Sequence, residues 1–106
     1  MKHYALAFVA LSCFSTPAFA EWYEGGTLHR ANFEQWQSAS APNRLATSGD
    51  WAVRILGKDE VRRIGMDGLK VRAQQLSNCV TEASFGTPSN LAASEAAASC
   101  AVLMNW

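Results

Sequence analysis

A chain of 106 residues, 49% hydrophobic and 10% aromatic, is too short for a dinucleotide-binding enzyme, a β/α barrel or a kinase. It is also too apolar to be intrinsically disordered. Nine basic side chains against nine acidic ones give no net formal charge, which excludes a dedicated nucleic-acid binder, since releasing phosphate counterions needs a basic surface.

The N-terminus reads as a targeting segment. Lys2 and His3 precede an apolar run from Tyr4 to Phe14, and Pro17 then leads into Ala18-Phe19-Ala20. A short basic start, an apolar stretch and small residues at the exit define a secretory signal peptide, with cleavage expected after Ala20. The run has about half of the roughly 20 residues a membrane-spanning helix needs, so a membrane anchor is not expected. Lipidation at Cys13 is not expected either, because Ala10-Leu11-Ser12 puts the leucine one place away from where a lipidation motif needs it. The expected organisation is a signal peptide over 1–20 and one small periplasmic helical domain over 21–106. No span remains in that mature chain.

Export changes the meaning of the three cysteines. Removing Cys13 leaves Cys79 and Cys100, an even pair in an oxidising compartment, and a disulfide follows. There is no CxxC, and His29 is the only histidine left, so the pair lacks the partners a metal site would need. No metal and no other cofactor is expected. Closing a loop of about twenty residues stabilises by roughly 3 kcal/mol in the chain-entropy view, a large share of a small domain's total.

The mature chain opens with an irregular arm over Glu21–His29, because Gly25-Gly26 sits poorly in a helix. Asn32 is placed as an N-cap, with Gln35 three residues on in capping-box position. A two-turn helix carrying Phe33 and Trp36 on one face follows. Ser40 is the next cap, and Pro42 suits a first helical turn. Leu45, Gly49, Ala52, Val53 and Leu56 recur at helical spacing, and Gly57 ends that helix. Lys58–Gly65 is open between a solvated helical turn and an extended link. From Met66 the period is clear: Leu69, Ala73, Leu76, Val80 and Ala83 form one helical stripe, broken by Phe85-Gly86-Thr87-Pro88. Ser89 or Asn90 is expected to cap a last, alanine-rich helix. Nothing alternates with period two for long enough to demand a strand. The expected fold is all-α: about four helices behind an irregular arm, the last two stapled by Cys79–Cys100 as an antiparallel hairpin.

The chemistry-bearing residues form no catalytic motif. GxSxG, HExxH and the phosphate loop are all missing from the sequence. His29 is the one candidate imidazole, and its sequence neighbours make no constellation. Glu24, Glu34, Asp50 and Glu82 are the candidate carboxylates for glycosidase-type chemistry, but each has a structural role open to it. Glu34 suits a helix start, and Asp50 is placed to pair with Arg54 one turn on. The basic stretch of Lys58, Arg62, Arg63, Lys70 and Arg72 is interrupted by Asp59, Glu60 and Asp67, as in a self-compensating solvated face. The aromatics are the residual oddity. Trp22, Tyr23, Trp36, Trp51 and Trp106, with His29, are the candidate contacts for a partner or ligand. Most of the aromatics are nevertheless expected in the core, since each buries a large area, and Trp106 is expected to close the core in preference to anchoring a partner.

Three stretches, Trp22-Tyr23-Glu24-Gly25-Gly26-Thr27-Leu28-His29, Arg44-Leu45-Ala46-Thr47-Ser48-Gly49-Asp50-Trp51 and Cys100-Ala101-Val102-Leu103-Met104-Asn105-Trp106, together resemble a group of small exported bacterial proteins of unassigned function. The resemblance supplies no catalytic residues. In architecture alone the chain is similar to the HdeA-like acid-stress chaperones, which are small, periplasmic, helical and held by one disulfide. Its cysteines lie closer together in sequence, and it lacks the lysine-rich character of that family. The expected function is non-catalytic: binding of a protein partner in the envelope, as a stress, chaperone or immunity factor. The alternative is a small-ligand carrier with a pocket lined by Trp36 and Trp51. A minimal hydrolase built on His29 ranks last.

Overall fold

Local capping signals set the helix boundaries. The computed structural model describes residues 21–86 and 88–106. The signal-peptide reading falls on 1–20, outside the described residues. Among those residues the regular elements are four helices, α1 (Phe33–Ser38), α2 (Ala41–Leu56), α3 (Lys58–Phe85) and α4 (Ala93–Leu103). A disulfide joins α3 to α4. The all-α expectation holds, with the irregular arm in front of it.

α1 begins with the anticipated capping box. The Gln35 N–H donates to Asn32 Oδ1 at 2.8 Å, and the Asn32 N–H donates to Gln35 Oε1 at 2.9 Å. Two otherwise orphaned N–H groups are thereby satisfied. α2 starts on Ser40, whose hydroxyl accepts from the Asn43 N–H, with Pro42 in the first turn. Gly57 then turns the chain at φ 88°, a conformation that costs little only for glycine.

The stretch after Gly57 resolves as helix. α3 runs on from Lys58, kinked at Gly65 (φ 72°, ψ 179°). Beyond the kink the stripe of Leu69, Ala73, Leu76 and Val80 is buried as the period predicts. The helix ends at Phe85 before Gly86. Cys79 and Cys100 lie about two turns from the facing ends of α3 and α4, and their sulfurs are 2.02 Å apart. The bond therefore closes a helical hairpin.

Two expectations are corrected. The first concerns which face of α2 is buried. Val53 is exposed and Leu45 and Leu56 are half-buried, whereas Ala46, Thr47, Ser48, Gly49, Trp51 and Ala52 are inside. The reason is that α2 is covered from two sides, by α3 and by the arm. Gly26 lies against the α2 backbone so closely that a Cβ there would stand 2.6 Å from the Thr47 nitrogen. The Trp22 ring covers Gly49. The arm also bonds to α2, with the Thr27 N–H donating to Asn43 Oδ1 and the Leu28 N–H to Thr47 Oγ1.

The second correction concerns the start of α4. Neither Ser89 nor Asn90 caps it; the cap position is Ala92, with no side-chain hydrogen bond. The Ala93 N–H donates instead to the Ala31 carbonyl at 2.9 Å, beside the isolated bridge between Asn32 and Ala92. Phe33 N–H to Leu91 O and Glu34 N–H to Ser89 O complete the seam. The backbone ahead of α1 thus does what a capping side chain would have done.

At the other end, α4 stops in a Schellman motif. The Trp106 N–H donates to the Ala101 carbonyl and the Asn105 N–H to Val102, with Asn105 at φ 62°. Asparagine is the side chain other than glycine that most readily takes this position.

Gly26→Ala is expected to destabilise by about 1–3 kcal/mol, since the new methyl meets helix backbone that cannot yield. Urea unfolding of Gly26→Ala beside Gly25→Ala checks the cause: at Gly25 no atom lies within 4 Å of the added Cβ, so any loss there reflects its positive φ alone.

Candidate functional site

The aromatic residues divide between the core and the surface. Trp36 (0% exposed) and Trp51 (8%) stack on each other, centroids 5.5 Å apart and planes within 15°. The indole N–H of Trp36 donates to Thr81 Oγ1 at 3.0 Å, so its one polar atom is satisfied. α1, α2 and α3 meet at this pair. Each ring fills the space a ligand would have needed, and neither lines any of the grooves described below.

His29 sits at the rim of the same stack, its ring edge-on to Trp51 with centroids 6.3 Å apart. Nε2 lies 2.7 Å from Asp50 Oδ2, and both side chains are close to half exposed. Asp50 therefore pairs with the arm and not with Arg54. A histidine–carboxylate pair is one part of an acyl-transfer site, but a nucleophile on the far ring nitrogen is the other part. Among the described residues, Asp50 is the only hydrogen-bond partner His29 has. The pair ties the arm to α2.

Trp22 and Tyr23 meet edge to face at 5.6 Å. Trp22 is half-buried on Gly49, while Tyr23 stays exposed at the edge of a groove. That groove is about 350 Å³ in volume, walled by Val53, Val61, Met66 and Leu69. Trp106 is half-buried against the core cluster, and the Arg72 guanidinium stands 5.4 Å from its ring centroid. The terminal tryptophan thus closes the core, held there by the Asn105 turn and capped by a cation–π contact.

Arg72 also reaches Glu60 at 3.6 Å, across the Gly65 kink. Glu60 takes a two-point contact from Arg63 as well. The Arg63 hydrogen bond, partly opposed by desolvation and aided by the Arg63 and Arg72 charges, holds the Glu60 carboxyl below its usual value. The same contact raises Arg63. With Arg62 paired to Asp59, the basic stretch is largely self-compensated, as its interleaved acids suggested.

The surface that the sequence did not reveal lies over the disulfide. α4 turns its small residues inward: Ala93, Ala97, Cys100 and Ala101 are buried. Its large ones point to water, with Val102 75% and Leu103 78% exposed. Leu91 just before it and Phe85 at the end of α3 are also exposed. Between the helices lies an apolar groove of about 320 Å³, floored by Phe33, Cys79 and Cys100 and edged by Leu91, Glu95 and Leu103. Among the described residues no cluster of His, Cys, Asp or Glu could hold a metal, and no helix is long and apolar enough to cross a membrane. No protein-family model, curated protein or solved structure matches the chain.

Trp36→Ala is expected to cost about 3–5 kcal/mol, as for other buried aromatics; denaturant unfolding measures it directly. The depressed Glu60 carboxyl gives a second check. It contributes stability that is full above pH 4.5, its ordinary value, and is lost as pH falls through its lower folded value. Glu60→Gln should therefore flatten the acid limb of the stability–pH curve below pH 4.5 and leave the curve's shape at neutral pH unchanged.

Proposed function

We propose that this is an exported, non-catalytic protein that works by binding a protein partner through the outward face of α4. The observation that carries this reading is the inverted burial of that helix. A helix at a protein surface ordinarily buries its large apolar side chains and exposes its polar ones. Here alanines face the core and Val102 and Leu103 face water. Contiguous exposed apolar surface of this kind marks an interaction site. A groove beside it, apolar apart from Glu95 and Ser99, fits a partner's side chain better than a polar substrate.

Other features support the same reading. The chemistry of the N-terminal twenty residues and the oxidised Cys79–Cys100 pair suit export to the periplasm. Among the described residues His29 is hydrogen-bonded to Asp50 and to no nucleophile, which favours binding over hydrolysis. Carriage of a small ligand between the tryptophans is disfavoured because Trp36 and Trp51 stack directly on each other.

The test uses a photo-crosslinking amino acid at Val102, with Arg54 on α2 as a surface control, in living cells. A discrete adduct from Val102 alone is expected. Leu103→Asp should abolish it while shifting unfolding by no more than about 0.5 kcal/mol, since the position is exposed. Equal labelling from both sites, or none from Val102, would count against the reading.

A further inference from the structure

The start of the arm closes a small turn on itself. The Glu21 nitrogen donates to Glu24 Oε1 at 3.2 Å, and the Glu24 N–H donates back to the Glu21 carbonyl at 3.0 Å. Within this turn stands Trp22, whose ring covers Gly49 of α2. The turn thus holds the side chain by which the arm's first residues lie on the helix. Glu21 and Glu24 also border a groove of about 520 Å³ with Ser40, Pro42 and Asn43 at the start of α2. α2 has no acidic side chain in its own first turn, so the arm brings the negative charge that a helix start favours.

We propose that removal of residues 1–20 turns this contact into an ionic clasp: cleavage leaves an α-ammonium group on Glu21, already seated on the Glu24 carboxylate, so that processing locks the arm onto α2. This rests on the reading of an exported chain cleaved after Ala20. The step is hydrolysis of the Ala20–Glu21 peptide bond. One water is consumed; its oxygen goes to the new Ala20 carboxylate, and its two protons turn the Glu21 N–H into ammonium, the charged form at neutral pH.

A neutral amide hydrogen bond to a carboxylate thereby becomes a charge-assisted one, with two further donors on the same nitrogen. Among the described residues, the charged side chains lining the groove are Glu21 and Glu24 alone, so no cation there competes for Glu24. Arg44, the one cation near the start of α2, is engaged by the carbonyls of Trp36 and Ala39. Before cleavage the same residues are present but the Glu21 nitrogen carries no charge. Docking of the arm is therefore completed after export and not before it. The clasp is present while the amine is protonated and is lost as pH rises through its midpoint.

The test expresses the full precursor, recovers the oxidised protein from the periplasm and reads its first residue by mass spectrometry. NMR then follows the Glu21 amine and the Gly49 protons, which the Trp22 ring shifts, as pH is raised. Wild type is compared with Glu24→Gln and with protein acetylated selectively at its α-amine, which keeps an N–H donor and loses the charge. The amine is expected to titrate about half a pH unit higher in wild type than in Glu24→Gln, as for an exposed ion pair. The Gly49 signals should move with the wild-type midpoint, and that step should be missing from the other two proteins. Titration of the His29–Asp50 pair beside Gly49 is common to all three. Equal amine midpoints in wild type and Glu24→Gln overturn the proposal, and so do Gly49 signals that do not follow the amine. In either case a chain beginning at Glu21 leaves the export reading standing. A first residue other than Glu21 overturns both the clasp and cleavage after Ala20.

Discussion

The stacked pair Trp36 and Trp51 is the contact on which the arrangement of helices depends. α1 has only six residues, too few to be stable as an isolated helix. It persists because Trp36 and Phe33 bury almost completely and because its capping box fixes its first turn. Trp36 reaches α2 through the stack and α3 through Thr81. Arg44 then donates to the carbonyls of Trp36 and Ala39, sealing the turn from α1 into α2. Placing a large aromatic pair at a three-helix junction gives a short chain the buried area that its length would otherwise deny it.

Around that junction the chain substitutes close backbone approach for bulk. The arm reaches α2 only because residue 26 has no side chain, and Trp22 lies flat only because residue 49 has none. α4 contributes alanines to the core, and a buried methyl is worth little beside a leucine. Two non-hydrophobic ties compensate. The Ala31 carbonyl satisfies the first turn of α4, and the disulfide removes disorder from the unfolded chain. With α4 secured in this way, its large side chains are not needed inside.

Much of this was legible in the sequence, and the division follows from range. Signals that act within a turn or two were readable: the Asn32–Gln35 box, the Ser40 cap, the glycine stop at Gly57 and the Leu69–Val80 stripe. The disulfide was readable from cysteine parity once 1–20 were set aside as an expected signal peptide. What could not be read was set by contacts distant in sequence. The buried face of α2 depends on an arm 20 residues upstream, so the local period pointed to Val53 and the fold exposed it. The cap of α4 is a carbonyl some 60 residues away. At the site, Trp36 and Trp51 went to the core, as the scarcity of large apolar area in so short a chain led one to expect, and so left the list of contact candidates. The exposed aliphatics of α4 gave no signal. In a helix where alanines occupy five of eleven positions and fall on buried and exposed sides alike, spacing does not say which side faces in.

That ambiguity has a physical consequence. A helix of alanines with a few large aliphatics can dock by either face: the large face buries more area, the small face allows closer approach. Here Cys100 breaks the tie. To reach Cys79 across 6.1 Å between Cα atoms, α4 must present Cys100 to α3. Ala93, Ala97 and Ala101, at helical spacing from it, are then carried inward together. Val102, roughly 200° round the helix from Cys100, is turned outward by the same rotation, and Leu103 lies exposed at the flank of the seam. Once formed, the covalent bond thus helps fix the orientation of α4, and that orientation leaves the apolar face outside. The bond that stabilises the domain thus also holds large aliphatic side chains of α4 open to water.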